Sequence, residues 1–184
     1  MTSKRLTIPR KVTAREAIAL QTKFASLVSQ ESALPRVVRY VAGADGAYAG
    51  NKAVGAAVVI DHDLLQTVET ATARARVTFP YIPGLLAFRE APVVVHALRR
   101  LRQKPDVCIA DGHGLAHPRK FGLACYVGLV MDLPTIGVAK SRLFGAEVGD
   151  RLVDPEGKII ATILRVKTVS YTHLRAHDTG RNLV

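Results

Sequence analysis

Apolar positions recur along this chain in two periods, and the change from one to the other organises it. Thr13 and Glu16 form a Thr-x-x-Glu capping box, in which each side chain satisfies a backbone amide that a helix start leaves free. Behind it, Ala17, Leu20, Phe24, Leu27 and Val28 fall on one face of a helix that must end before Pro35. Three apolar runs follow at 37–44, 53–60 and 70–78. The first runs into Asp45-Gly46, and the second ends in the turn Asp61-His62-Asp63. Short connections of this kind predict an antiparallel meander. Its middle strand, almost wholly apolar, is expected at the centre of a sheet.

The period then changes. Two prolines in Pro80-Tyr81-Ile82-Pro83-Gly84 remove donors and fix φ, so regular structure stops there. A helix is expected from about Phe88, with Pro92 in its first turn and Val94, Val95, Leu98 and Leu101 on the buried face. Lys104-Pro105 ends it. A short strand at 106–110 delivers Asp111 at its C-terminal end, and a glycine-rich loop at 111–118 leads to another helix. There Phe121, Ala124, Cys125 and Gly128 share a face. A strand at 134–138 leads to Lys140, and a hairpin at 151–154 and 159–166 turns on Pro155-Glu156-Gly157. The order describes one α/β domain, a mixed central sheet with three initial antiparallel strands and flanking helices.

Charge changes this picture more than composition does. The 184 residues carry a formal net charge of +11, which favours an anionic partner such as nucleic acid. Cys108 and Cys125 each lie inside an apolar run and read as buried free thiols in a reducing compartment. The start of the chain is polar and basic, with no apolar stretch for a signal peptide, and no run is long enough to span a bilayer. A cytoplasmic protein without membrane contact is expected.

Three carboxylates stand out: Asp45 after one apolar strand, Glu90 at the start of a helix, Asp111 at the end of another strand. A carboxylate buried near a sheet is costly unless paired or bound to a cation. Carboxyl ends of buried strands open onto ligand crevices, and hard cations such as Mg²⁺ take oxygen ligands. Each carboxylate taken alone reads more readily as a cap or turn residue than as a ligand, and no spacing rule makes the three converge. In 111–119, Gly112 and Gly114 permit close backbone approach, and they exclude a helical histidine pair at 113 and 117. His117 reads as a hydrogen-bonding or phosphate-facing group. The stiff, aromatic-tipped loop at 80–84 suits a wedge that unstacks bases. Lys140 could neutralise a phosphate, and Arg89, Arg119, Lys120 and Arg142 could contact backbone phosphates.

Read together, the segments at 42–45, 80–90, 111–119 and 134–140 resemble the endonuclease V family, in that family's order, over roughly residues 13–168. The resemblance implies a ribonuclease H-like fold. It implies that Asp45, Glu90 and Asp111 hold a divalent metal, Mg²⁺ with Mn²⁺ able to substitute. With Lys140, near the scissile phosphate, they are the catalytic set. Tyr81, in its loop with Pro80, Ile82 and Pro83, becomes the strand-separating wedge. Gly84, Leu86, Gly112 and His117 become the pocket for a flipped hypoxanthine. The implied activity is a nick at the second phosphodiester 3′ of deoxyinosine, leaving 3′-hydroxyl and 5′-phosphate ends. The partner is DNA with deaminated bases, or single-stranded DNA or RNA with inosine, and the protein a monomer. Two departures stand out. Gly46-Ala47 replace a bulkier apolar residue after Asp45. Residues 169–184 do not match the family's Gly-His-Arg-like segment and final helix. They are expected to be a tail outside the catalytic domain at 1–168. A chain lacking that segment could bind inosine without cutting.

Overall fold

The capping box forms as the sequence demands. In α1 (Ala14–Ala25) the Glu16 amide donates to Thr13 Oγ1 and the Thr13 amide to Glu16 Oε2, at 3.3 and 2.7 Å. The fold is described from a computed structural model, over residues 11–164. Ala17 and Phe24 are buried on α1, while Leu27, expected on the same face, lies beyond the helix end and is exposed. The position facing inward between them is Gln21.

The meander is present as β1 (Tyr40–Ala49), β2 (Lys52–Asp61) and β3 (Gln66–Arg76). β1 runs parallel to β4 (Val107–Asp111), and β4 to β5 (Thr135–Val138), giving the order β3-β2-β1-β4-β5. The structure corrects several element bounds of the sequence reading: the first strand begins at Tyr40 rather than at 37, and the second helix ends at Leu98, before Leu101 and short of Lys104-Pro105. Asp45-Gly46 does not leave the first strand. Asp45 pairs with Ala56 and Gly46 with Gly55, so the ladder overrides the turn preference of the dipeptide. The third strand starts four residues early, at Gln66. Helix α2 (Leu86–Leu98) starts before Phe88, which puts Pro92 inside the helix rather than in its first turn. The missing donor leaves the Phe88 carbonyl without its helical partner. Burial of Ala87, Phe88, Ala91, Val93, Val94, Val95, Ala97 and Leu98 outweighs that loss.

Helix α3 (Leu123–Met131) begins after Phe121, which packs from the preceding loop. Alternation along the strands puts Ala42, Ala44, Ala57, Val59, Cys108 and Ala110 on the face covered by α2 and α3. Small residues there let the helices approach closely. Five rings then join the layers: Phe24 to Phe121, Phe121 to Tyr126, Tyr126 to Phe88 and Phe88 to Phe79, with centroids 6.0, 6.4, 5.8 and 5.8 Å apart. The opposite face of the sheet is open among the described residues, with Ile109 40% and Ile136 53% exposed. A second, small sheet holds β6 (Ala146–Val148), β7 (Arg151–Val153) and β8 (Ile159–Thr162), the last two being the expected hairpin. β6 was not foreseen. Lys120 anchors this sheet through Asp154, 2.8 Å away. The end of the hairpin beyond 164 and the expected tail lie outside the described residues.

Candidate active site

The extended β1 carries Asp45 in mid-strand, on the open face of the sheet. Parallel pairing of Gly43 with Ile109 brings Asp111, at the end of β4, to the same face. Glu90 comes from α2, half-buried. Burial above all, then the Asp45 and Asp111 charges, pushes its carboxyl up to about 7, against the opposing Arg89. That shift records three carboxylates within electrostatic reach of one another, from residues far apart in sequence. Asp111 accepts from Lys140 Nζ at 3.0 Å, and Asp45 accepts from the Gly46 amide at 2.6 Å. Among the described residues no three His, Cys, Asp or Glu side chains are drawn as close as a formed metal site requires. A cleft of about 390 Å³ opens beside them, lined by Gly43, Ala44, Asp45, Ala56, Val58, Ile109, Asp111, Val138 and Lys140.

The proline loop stands next to this cluster in the chain and leads into α2. Leu85 N donates to Ile82 O at 2.9 Å across Pro83 and Gly84, and Gly84 has φ +77°. Proline followed by a positive-φ glycine is the pattern of a type II turn. Pro80 and Pro83 are exposed, Ile82 and Leu86 half-buried, and Tyr81 is 68% exposed at the tip. The Gly84 carbonyl accepts from three side chains: Gln21 Nε2 at 3.1 Å, His117 Nε2 at 2.9 Å and Arg119 Nη2 at 2.7 Å. Gln21 also donates to Phe121 O and accepts from Arg119 Nε. Gly112 sits at φ +153°, a conformation L side chains rarely adopt, and a Cβ there would press on the Leu123 side chain at 2.9 Å.

His117 is therefore a buried, neutral hydrogen-bonding group, 3% exposed. Its Nε2 donates to Gly84 O, and its Nδ1 accepts from the Arg119 amide at 3.1 Å, which assigns the tautomer. Burial, joined by the Arg119 and His113 charges, pulls its pKa down to about 4, against the Gly84 hydrogen bond. The folded value lies below the unfolded one. The stability it supports is intact above pH 6.5 and is lost as pH falls toward 4. Urea unfolding at pH 7 and pH 4 should show the chain losing roughly 3 kcal/mol more than a His117→Gln variant. Glu90, whose shift has the opposite sign, is common to both proteins and cancels. Equal losses in the two would sink this reading.

The flanking cations are largely committed elsewhere. Arg89 donates to Phe79 O at 2.9 Å and lies over the Tyr48 ring, 4.9 Å from its centroid. Arg119 is held by Gln21 and Gly84. Lys120 pairs with Asp154 and Glu156, and Arg142 approaches Glu147 at 3.8 Å. Sequence reasoning missed Gln21 and Tyr48. A polar residue on the apolar stripe of α1 was the available signal for Gln21; Tyr48 gave none. Cys108 and Cys125 are buried free thiols, pushed up by burial to about 12 and about 11.

Fold and site together define a ribonuclease H-like α/β protein whose sheet carries a carboxylate cluster. The family model for Endonuclease V matches residues 22–182. Endonuclease V of Roseiflexus castenholzii is 52% identical over 120 residues, which are 65% of this chain and 53% of that protein. The crystal structure of Endonuclease V from Streptomyces avermitilis is 44% identical with a TM-score of 0.69, over 76% of this chain and 63% of that one. Ciona intestinalis Endonuclease V, solved in complex with a 24mer DNA containing an inosine followed by a ribo-adenosine, is 27% identical. Its TM-score is 0.65, over 77% of this chain and 63% of that one. The chain belongs to the endonuclease V family, and it spans about half the length of the Roseiflexus relative. Among the described residues no helix is long and apolar enough to cross a membrane.

Proposed function

We propose that this chain is a DNA repair endonuclease that nicks a strand at the second phosphodiester 3′ of a deoxyinosine, leaving 3′-hydroxyl and 5′-phosphate ends. The observation that carries it is the convergence of three oxygen-donor groups: parallel pairing of β1 with β4 sets Asp45 and Asp111 side by side, and Glu90 from α2 feels the charge of both. Such a donor set fits a hard divalent cation, Mg²⁺ with Mn²⁺ as substitute, held by Asp45, Glu90 and Asp111. When bound, the ion orients water and stabilises the leaving oxygen at phosphorus. Lys140, now on Asp111, brings a positive charge to the place where the scissile phosphate would sit. Tyr81 fills the gap left by a displaced base, and the turn at Pro83-Gly84 holds it rigidly. Gly84, Leu86, Gly112 and His117 shape the pocket for that base. The Gly84 and His117 contacts described above act by fixing the pocket's wall. The protein works as a monomer on DNA with deaminated bases, and its buried thiols suit the reducing cytoplasm.

The test is a nicking assay on a labelled duplex with one deoxyinosine, beside the unmodified duplex, with Mg²⁺ and with EDTA. A Mg²⁺-dependent nick one nucleotide beyond the lesion, absent from plain DNA, is the expected result. Inosine-selective binding without a nick would replace the enzyme by a binding module. Absence of both nicking and inosine-selective binding would overturn the reading.

A further inference from the structure

The open face of the sheet carries three cations that the active-site reading leaves unused. Directly paired residues of an antiparallel ladder point to the same face. The register therefore sorts side chains into rows. One row is Thr72–Ala56–Asp45; beyond it come Arg74–Val54–Ala47 and then Arg76–Lys52–Ala49. Lys52, Arg74 and Arg76 thus share the face of Asp45, and all three are exposed. The ion pairs among the described residues involve other cations. At about 3.4 Å per residue, the two basic rows lie about 7 and 14 Å along the strands from the carboxylate row. Across the five strands, Asp45 and Asp111 are the only carboxylates on this face among the described residues. The small Ala47 and Ala49 leave the surface low between Asp45 and the cations.

We infer that Lys52, Arg74 and Arg76 form a phosphate-binding track that leads a nucleic-acid strand away from the carboxylates across the β1–β3 half of the sheet. The inference rests on the active-site reading for the track's starting point. A strand with regularly placed negative charges fits cations spaced by sheet register, and phosphate contacts fix register without reading bases. Each neutralised phosphate contributes about 0.9 to the slope of log affinity against log salt for a duplex, and about 0.7 for a single strand.

The experiment measures that slope in EDTA, on a fluorescent duplex with one deoxyinosine. It compares the full chain with a triple variant, Lys52→Gln, Arg74→Gln and Arg76→Gln. A charge-matched control carries Arg99→Gln, Arg102→Gln and Lys104→Gln, at exposed positions past the end of α2. Melting temperatures check that each variant folds. The track variant should lose about two to three units of slope, and the control less than about one unit. Equal losses in both would mean diffuse charge and overturn the track, as would an unchanged slope in the track variant. Failure of the parent chain to nick would overturn the active-site reading alone, because the slope is read from binding.

Discussion

Asp45→Asn should reduce nicking by about a thousandfold or more while leaving the melting temperature in EDTA unchanged or slightly raised. The two effects separate because Asp45 does little for the fold. It lies on the open face, and its one recorded hydrogen bond, from the Gly46 amide, is kept by an asparagine oxygen. Its charge is part of what raises the Glu90 carboxyl, after burial and ahead of Asp111. Removing that charge relieves repulsion in the protein without metal, and with it the cluster loses its attraction for a divalent cation. Single-turnover nicking and thermal melting, run on the same preparation, read the two effects. Activity within tenfold of the parent would remove Asp45 from the catalytic set. A large fall in melting temperature would instead make it a structural residue.

The separation explains which parts of this site were legible in sequence. Residues whose chemistry is local could be read: the capping box at Thr13, the Pro83-Gly84 turn, the tight glycine at 112. So could the succession of elements along the chain, because the meander and the β–helix–β alternation follow from periodicity. The convergence of Asp45, Glu90 and Asp111 could not be read from spacing. It depends on parallel pairing of β1 with β4, a contact across more than sixty positions of chain. Only the family resemblance supplied it beforehand. Asp45 was misplaced at a strand end because Asp-Gly has a strong local turn preference, which the paired ladder overrode. Gln21 escaped notice for a related reason. Its three partners, Gly84, Phe121 and Arg119, come from two distant loops, and a single polar residue on an apolar helix face carries no label saying what it will meet. The cations at 52, 74 and 76 were ordinary solvated charges until the register placed them on one face.

Gly55→Ala should cost about 3 kcal/mol, enough to lower the melting temperature by roughly 10 °C in a domain of this size. A Cβ at Gly55 would stand 2.3 Å from Val93 O and 2.7 Å from Val93 C. Those are backbone atoms of α2, so no side-chain rotation relieves the overlap, and helix and sheet must part. Val93 follows Glu90 by about one helical turn. Parting the layers therefore moves the Glu90 carboxyl relative to Asp45 and Asp111, and nicking should fall together with stability. Gly43→Ala is the contrasting change: it lies on β1 facing the open cleft, and a Cβ there meets nothing within 4 Å. It should stay within about 0.5 kcal/mol of the parent. Urea unfolding of the two variants decides the matter. A Gly55→Ala chain as stable as Gly43→Ala would mean that the helix layer yields freely, and that packing of α2 on β2 does not fix where Glu90 sits. If the loss falls at Gly55 alone, a glycine with no chemistry of its own sets the geometry of the carboxylate cluster, by letting the helix that carries Glu90 lie directly on the strand that pairs with Asp45.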